Sequence, residues 1–119
     1  MSTKEPRVRV EQQGDVTRAT FLDRNILEET TIQQIGEEVG ALIDAAVGPK
    51  LLLDFSNVEH LSSSALGLLI TINNRVRAKG GQLRLANIDP QIYEVFVITQ
   101  LNRLFQIHAD TDKALASFK

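Results

Sequence analysis

A short, uninterrupted run of apolar residues in the middle of the chain limits the possible folds more than any other feature. Three leucines, Leu51 to Leu53, stand between Lys50 and Asp54. A strand exposed to water on one face alternates apolar and polar residues, whereas a strand covered on both faces is apolar throughout. The run therefore predicts a central strand over residues 50–54 that is buried on both faces.

The segments on either side of this strand alternate between strand and helix patterns. Residues 7–11 and 16–22 predict a hairpin at the edge of the sheet. Further strands are predicted over 82–86 and 104–108, and helices over 29–47, 63–79, from 90 onward and over 110–118. The fold class is α/β: a single domain over residues 7–119, following a flexible lead of residues 1–6. Its mixed, mostly parallel sheet carries the N-terminal hairpin and about four helices packed against it.

Composition excludes several functional classes. Lys and Arg number 13 against 15 Asp and Glu, a net charge of -2, so the chain has no general positive field for nucleic acid. No apolar run approaches the roughly 20 residues that cross a bilayer. With no cysteine, the chain has neither disulfides nor thiol chemistry. We therefore expect a cytoplasmic protein that binds no nucleic acid and does not insert into a membrane.

Candidate catalytic and metal-binding residues are few. Asp54, His60 and a following serine faintly resemble a hydrolytic set, but the Gly-x-Ser-x-Gly motif is absent. His60 and His108 lack the spacing typical of metal ligands. No phosphate-binding Gly-x-x-x-x-Gly-Lys motif occurs. We therefore expect no enzymatic activity, no metal and no cofactor.

Three consecutive serines, Ser62 to Ser64, stand where the second helix is predicted to begin. Ser62 or Ser63 is suited to cap the helix, because a serine hydroxyl can accept a hydrogen bond from a free N–H group of the first turn. Capping needs one serine, and serine is common at helix starts. The residues alone leave open whether the other two have a function.

Two neighbouring stretches, Asp54-Phe-Ser-Asn-Val58 and Leu61-Ser-Ser-Ser-Ala-Leu-Gly67, resemble the signature of the STAS domain, named for sulfate transporters and anti-sigma factor antagonists. The resemblance covers nearly the whole chain. In soluble members of the family, the serine matching Ser63 is phosphorylated by a kinase that is itself an anti-sigma factor. The chain departs from the family pattern at Ser62, where an aspartate is usual, and at Ala65, where a glycine is usual.

The resemblance implies an anti-sigma factor antagonist that controls transcription by partner switching. Its partner would be an anti-sigma factor serine protein kinase, which binds the unphosphorylated form. Ser63 is the implied phosphorylation site, with Ser62 and Ser64 as rival acceptors. The residues expected to contact the partner are Asp23, Arg24, Asn25, Asp54, Ser56, Ser62 and Ser64. The alternatives are an accessory subunit of an ABC-type lipid transport system and an unphosphorylated scaffold of a signalling complex.

Two further surface features follow from the pattern. Arg75, Arg77, Lys79 and Arg84 predict a local basic strip, which is ordinarily a solvated face. On the third helix, Ile92, Val95, Phe96 and Thr99 form the predicted inner stripe. Tyr93, Val97, Ile98 and Leu101 lie off this stripe. We expect them to pack beneath a neighbouring loop, and the alternative is an exposed apolar patch for weak self-association.

Overall fold

The computed structural model describes residues 5–118 of the chain. Five strands lie side by side in one sheet, in the order β1 (Val8–Gln13), β2 (Val16–Phe21), β4 (Lys50–Asp54), β6 (Gln82–Ala86) and β7 (Ile107–His108). Two short strands, β3 (Asn25–Ile26) and β5 (His60–Leu61), form a separate parallel pair. The helices are α1 (Glu29–Asp44), α2 (Ser63–Ala78), α3 (Pro90–Ile98) and α4 (Thr111–Ala116).

The predicted α/β architecture is confirmed. Strands β1 and β2 form an antiparallel hairpin, and β2, β4, β6 and β7 run parallel to one another. Gly14 allows the tight hairpin turn, because its φ of 65° lies in the left-handed region that residues with a Cβ atom avoid. The parallel strands all end at one edge of the sheet. Loops that follow different strands therefore meet there.

The central strand β4 is buried on both faces, as its sequence predicts. Leu51 and Leu53 point into the main core, which is closed by α1, α2 and α3. Leu52 points to the opposite face and packs with Ala114 of α4 in a smaller cluster. Because side chains alternate along a strand, a continuous leucine run fills both layers. Truncating a fully buried leucine typically costs about 2–5 kcal/mol.

The predicted strand over residues 104–108 is shorter in the structure. A 3-10 helix over Leu101–Arg103 precedes it, and β7 covers Ile107 and His108 alone. Phe105 is buried instead in the core, where its ring meets that of Phe96 edge-on at 5.8 Å between centroids. The apolar pattern of this segment therefore reflects packing of a turn and not a longer strand.

The predicted inner stripe of α3 is partly wrong. Ile92 and Phe96 are buried, but Val95 and Thr99 are exposed. Of the four residues expected to pack under a loop, Tyr93, Val97 and Ile98 are also exposed. Leu101 is half-buried and packs against the core. Because α3 is apolar on nearly every side, its sequence cannot show which side meets the sheet.

The predicted basic strip is wrong for Arg84, whereas Arg75, Arg77 and Lys79 lie together at the end of α2. Arg84 belongs to β6 and is 8% exposed on the face covered by α4, where its Nε donates to Ser117 Oγ at 2.8 Å. Arg75 lies on α2 and forms an ion pair with Asp44 of α1, with 2.9 Å between nitrogen and oxygen. Since α2 and α4 cover opposite faces of the sheet, the Arg84 guanidinium, which bonds to Ser117, does not share a surface with Arg75.

The proposed division into a lead of residues 1–6 and a domain over 7–119 stays a prediction. Residues 1–4 and 119 lie outside the described residues. Glu5 already contacts the domain, because its carbonyl oxygen accepts a hydrogen bond of 2.7 Å from Gln34 Nε2 on α1. Within residues 5–118, no helix is long and apolar enough to cross a membrane.

Candidate functional site

Asp54 lies at the carboxyl end of β4 and holds together the chain segments that surround it. Its Oδ1 accepts hydrogen bonds from the backbone N–H of Ser56 and from Asn87 Nδ2, both at 2.9 Å. Its Oδ2 accepts from two nitrogens of Arg18 on β2, with Nε at 3.1 Å. The side chain of Asp54 is 0% exposed. The carboxylate therefore fixes the loop after β4 from beneath.

This burial corrects one prediction. Asp54 was expected among the residues that touch a partner, but a side chain without exposed surface cannot do so in this conformation. Burial by itself raises the pKa of Asp54, but the hydrogen bonds from Arg18, Asn87 and Ser56 outweigh it and hold the pKa below its usual value. Asp54 is therefore ionised at neutral pH and acts as a structural anchor of the site.

Asn87 is a residue of this network that sequence reasoning missed. It follows β6 with a φ of 61°, in the left-handed region, where asparagine is one of the few tolerated residues. Its Nδ2 also donates to Thr111 Oγ1 of α4 at 2.9 Å. The sequence signal was an asparagine directly after a predicted strand. Nothing in the sequence indicated that its partner would be Asp54.

The three serines lie at the start of α2 with different environments. Ser62 is the N-cap residue: its Oγ accepts a hydrogen bond of 3.1 Å from the backbone N–H of Ala65. Ser63 is the first residue of the helix, and Ser63 and Ser64 are both exposed, whereas Ser62 is half-buried. Ala65 and Leu66, which follow, are buried against the core. The helix thus presents two hydroxyls outward while its next residues anchor it.

The small β3–β5 sheet brings the loop over residues 23–25 beside the serines. The carbonyl oxygen of Arg24 accepts from the backbone N–H groups of Glu59 and His60, and Arg24 Nε lies 3.1 Å from a carboxylate oxygen of Glu59. The backbone N–H of Ser62 donates to the carbonyl oxygen of Ile26. The chain leading into α2 is therefore fixed by β3, a pairing that the sequence did not predict.

The predicted contact residues are thus only partly brought together. Arg24 and Asn25 are exposed next to the segment that enters α2. Asp23 points elsewhere: its Oδ1 pairs with Arg7 at 2.9 Å, ahead of β1. Ser56 is exposed on the other side of β5 and lines a cleft of about 570 Å³.

That cleft lies between the loop after β4 and the loop after β6. Its polar walls come from Ser56, Glu59, His60, Asn87 and Asp89. Asp89 also caps α3, since its Oδ1 accepts from the backbone N–H of Gln91 at 2.8 Å. Among the described side chains, no group of three or more His, Asp or Glu is placed to hold a metal ion.

The family model for the STAS domain matches residues 6–114 of this chain, which include all seven strands, helices α1 to α3 and the first four residues of α4. The chain belongs to the STAS domain family. This assignment confirms the resemblance carried by the segment from Asp54 to Gly67.

Relatives within the family share moderate sequence identity with this STAS protein. A STAS-domain containing protein of Pseudomonas aeruginosa is 32% identical over 89 residues, which cover 67% of this chain and 88% of the relative. The provisionally named anti-sigma factor antagonist BtrV of Bordetella bronchiseptica is 24% identical over 96 residues, covering 81% and 82% of the two chains.

A solved structure has the same fold. An anti-sigma-factor antagonist (STAS) domain protein from Planctomyces limnophilus superposes with a TM-score of 0.84 and is 26% identical. The match covers 92% of this chain and 96% of that one. The arrangement of hairpin, parallel strands and covering helices is therefore that of the family.

Proposed function

We propose that this STAS protein is an anti-sigma factor antagonist: it binds an anti-sigma factor serine protein kinase through the start of α2 and is released when Ser63 is phosphorylated. The names of BtrV and of the Planctomyces protein support the general role. The observation that carries the proposal is the position of Ser63, exposed on the first residue of a helix that its neighbour Ser62 caps. In this role the chain binds its partner protein in the cytoplasm and needs no catalytic group of its own.

The capping by Ser62 separates the structural serine from the proposed regulatory one. The Ser62 hydroxyl is half-buried and engaged with the Ala65 N–H, so a kinase would have to break a cap worth about 1 kcal/mol to use it. The Ser63 hydroxyl is exposed and not needed for the cap. Ser64 is also exposed and remains the stronger rival acceptor.

Phosphorylation of Ser63 is expected to leave the fold intact. A phosphoryl group adds about −1.5 to −2 charges. At the N-terminus of α2 the helix macrodipole favours such an anion by about 0.3–1 kcal/mol. Because the Ser63 side chain points into solvent, the group displaces no core residue.

The same modification is expected to oppose binding. Residues 51–74 contain no Lys or Arg, and Arg24 is already paired with Glu59. A phosphate buried in an interface at this point would find no unpaired cation from the surrounding segment. Its desolvation then costs several kcal/mol, and each ~1.4 kcal/mol lowers affinity tenfold. The loss exceeds the gain at the helix terminus, so the modification acts as a release switch.

The proposed contact surface consists of the exposed residues around Ser63. Arg24 and Asn25 adjoin it through the pairing of β3 with β5, and Ser56 is exposed on the loop after β4. Ser62 and Ser64 flank the acceptor directly. Asp23 is half-buried and paired with Arg7, so we leave it out of this surface.

The proposal is tested with purified serine-kinase anti-sigma factors encoded in the source genome. We expect one of them to bind the wild-type chain, to add a single phosphate with ATP by intact-mass measurement, and to lose binding to Ser63→Glu. Val47→Glu is the matched control, because it places the same residue at a 99% exposed position. Phosphate on Ser64 instead, or equal binding of Ser63→Glu, contradicts the switch.

The two alternative roles give other results in the same experiment. Binding of an unmodified chain to the purified ATPase of a lipid-exporting ABC system, with no kinase bound, overturns the proposal in favour of an accessory subunit. Stable incorporation into a multiprotein complex without any phosphate favours a scaffold.

A further inference from the structure

The outer side of α3 is an apolar surface that nothing in the described chain covers. We use the name α3 outer face for its five exposed residues, Tyr93, Glu94, Val95, Val97 and Ile98. The four apolar members are 41% to 79% exposed, and Ile98 has the largest value. Scattered single exposed hydrophobics are ordinary, but a group on one short helix marks an interaction surface.

A shallow groove connects this face to the helix that carries the serines. The groove, about 190 Å³, is lined by Leu61 and Leu66 on one side and by Ile92 and Val95 on the other. Leu66 follows Ser63 by one turn of α2. The α3 outer face is therefore continuous with the proposed contact surface around Ser63.

Charge disfavours a second copy of this chain as the natural occupant. Glu94 is the single charged residue of α3 and stands at the middle of the helix, four residues from each end. Two copies paired antiparallel across this face would bring their Glu94 carboxylates together near the symmetry axis, where like charges repel. Residues 85–102 contain no Lys or Arg that could compensate.

The same charge pattern describes the complementary partner. The face carries the carboxylate of Glu94, with Asp89 at the head of α3, whereas Glu59 in the groove is already paired with Arg24. A partner surface that is apolar at its centre and edged by Lys or Arg would cover the apolar residues and neutralise these acids.

Size shows why the two surfaces belong together. A helix of nine residues is about 13 Å long, and a stable interface needs about 800 Å² on each partner. The α3 outer face alone is too small for that. Joined through the groove to the start of α2, it becomes part of a larger surface.

We propose that the α3 outer face is the second half of the docking surface for the same protein that binds at Ser63, and that it takes an apolar patch edged by basic residues on that protein. This inference rests on the proposed function. Ile98 and Val95 supply the apolar contact, and Glu94 pairs with a cation of the partner. Ser63 then controls release from one end of a longer interface.

The test uses the kinase that binds the wild-type chain, with Ile98→Glu and the matched control Val47→Glu. Both substitutions put a carboxylate at a highly exposed apolar position, so neither disturbs the core. We expect Ile98→Glu to weaken binding at least about tenfold, as loss of a central interface contact does, and Val47→Glu to leave it unchanged. Glu94→Lys should also weaken binding of the kinase. The difference in affinity from the wild type should become smaller as the salt concentration is raised, because salt screens the charges.

The outcomes separate this inference from the proposed function. If no kinase binds the wild-type chain, the proposed function fails and the inference with it. If a kinase binds and Ile98→Glu binds equally well, the inference alone is wrong. If sedimentation shows a wild-type dimer that Ile98→Glu abolishes and Glu94→Gln strengthens, the face joins two copies, which also overturns it.

Discussion

Asn87 donates a hydrogen bond of 2.9 Å from its Nδ2 to Oδ1 of Asp54, and this bond joins the loop after β6 to the end of β4. Through Thr111 the same amide group also reaches α4. The buried carboxylate of Asp54 is thus linked to β2, to the loops after β4 and β6 and, through Asn87, to α4. Five predictions concern this network, the serines at the start of α2 and two glycines.

Asp54→Asn should destabilise the fold. The substitution removes the charge that Arg18 pairs with and puts an amide where Oδ1 and Oδ2 accept four strong hydrogen bonds. We expect the free energy of unfolding to fall by about 3 kcal/mol. This is near the lower end of the cost of breaking a buried ion pair, because Arg18 keeps 21% of its side chain exposed. Urea denaturation at neutral pH measures it.

The pH dependence of stability should change with the same substitution. Since the pKa of Asp54 is lowered in the folded state from its ordinary 3.8, its contribution is complete above that value and declines as pH falls through the lower folded pKa. The stability difference between wild type and Asp54→Asn should therefore shrink below about pH 4. A difference that stays constant down to the acid limit contradicts the ionised state of Asp54.

Two substitutions at Asn87 should separate what its side chain contributes to stability from what its backbone conformation contributes. Asn87→Gly removes the hydrogen bonds to Asp54 and Thr111 but keeps the left-handed φ of 61° accessible, so we expect a cost of about 1–3 kcal/mol. Asn87→Ala should cost about 1 kcal/mol more, because its Cβ disfavours that φ. Thermal denaturation of both variants gives the order. An alanine variant as stable as the glycine variant would show that the backbone conformation has no energetic role.

Substitutions at Ser62, which precedes α2, and at Ser63, its first residue, should differ in their effect on stability. Ser62→Ala removes the N-cap hydrogen bond to the Ala65 N–H and should cost about 1 kcal/mol. Ser63→Ala changes an exposed residue outside the cap and should stay within about 0.5 kcal/mol of wild type. Denaturant titration of the pair measures both. Equal losses would mean that Ser63 also stabilises the helix, which weakens its assignment as the freely accessible acceptor.

Two glycines should respond oppositely to alanine. Gly67 lies inside α2, and no described atom comes within 4 Å of the place its Cβ would take, so Gly67→Ala should stabilise the protein by about 0.5–1 kcal/mol. At Gly81 the new Cβ would collide with the Pro49 carbonyl oxygen and stand 2.9 Å from Pro49 Cδ. Gly81→Ala should therefore cost about 1–3 kcal/mol. The two melting temperatures, measured together, should move in opposite directions from that of the wild type.

Local patterns predicted the elements whose residues meet the core in a regular repeat. The leucine run gave β4 with its bounds, because a strand covered on both faces leaves no polar position. The bounds of β6, Gln82–Ala86, likewise agree with the prediction at both ends. The start of α2 followed from its serines, since a cap is a property of neighbouring residues.

Other elements could not be read from local patterns. The strands β3 and β5 have two residues each, too few for any repeat to show. Helix α3 is apolar almost all round, so its sequence does not say which side is buried and left Val97 and Ile98 wrongly placed in the interior. Arg84 looked like a surface cation, but β6 carries it under α4.

The sequence by itself determined the α/β class, the family and the serines at a helix start, because periodicity, caps and motif spacing depend on residues close together in the chain. The tertiary structure decided that Asp54 is buried, that Asn87 is its partner 33 residues away, and that one side of α3 is exposed. These depend on which strand ends meet at one edge of the sheet. That meeting is fixed by long-range packing, and no local pattern records it.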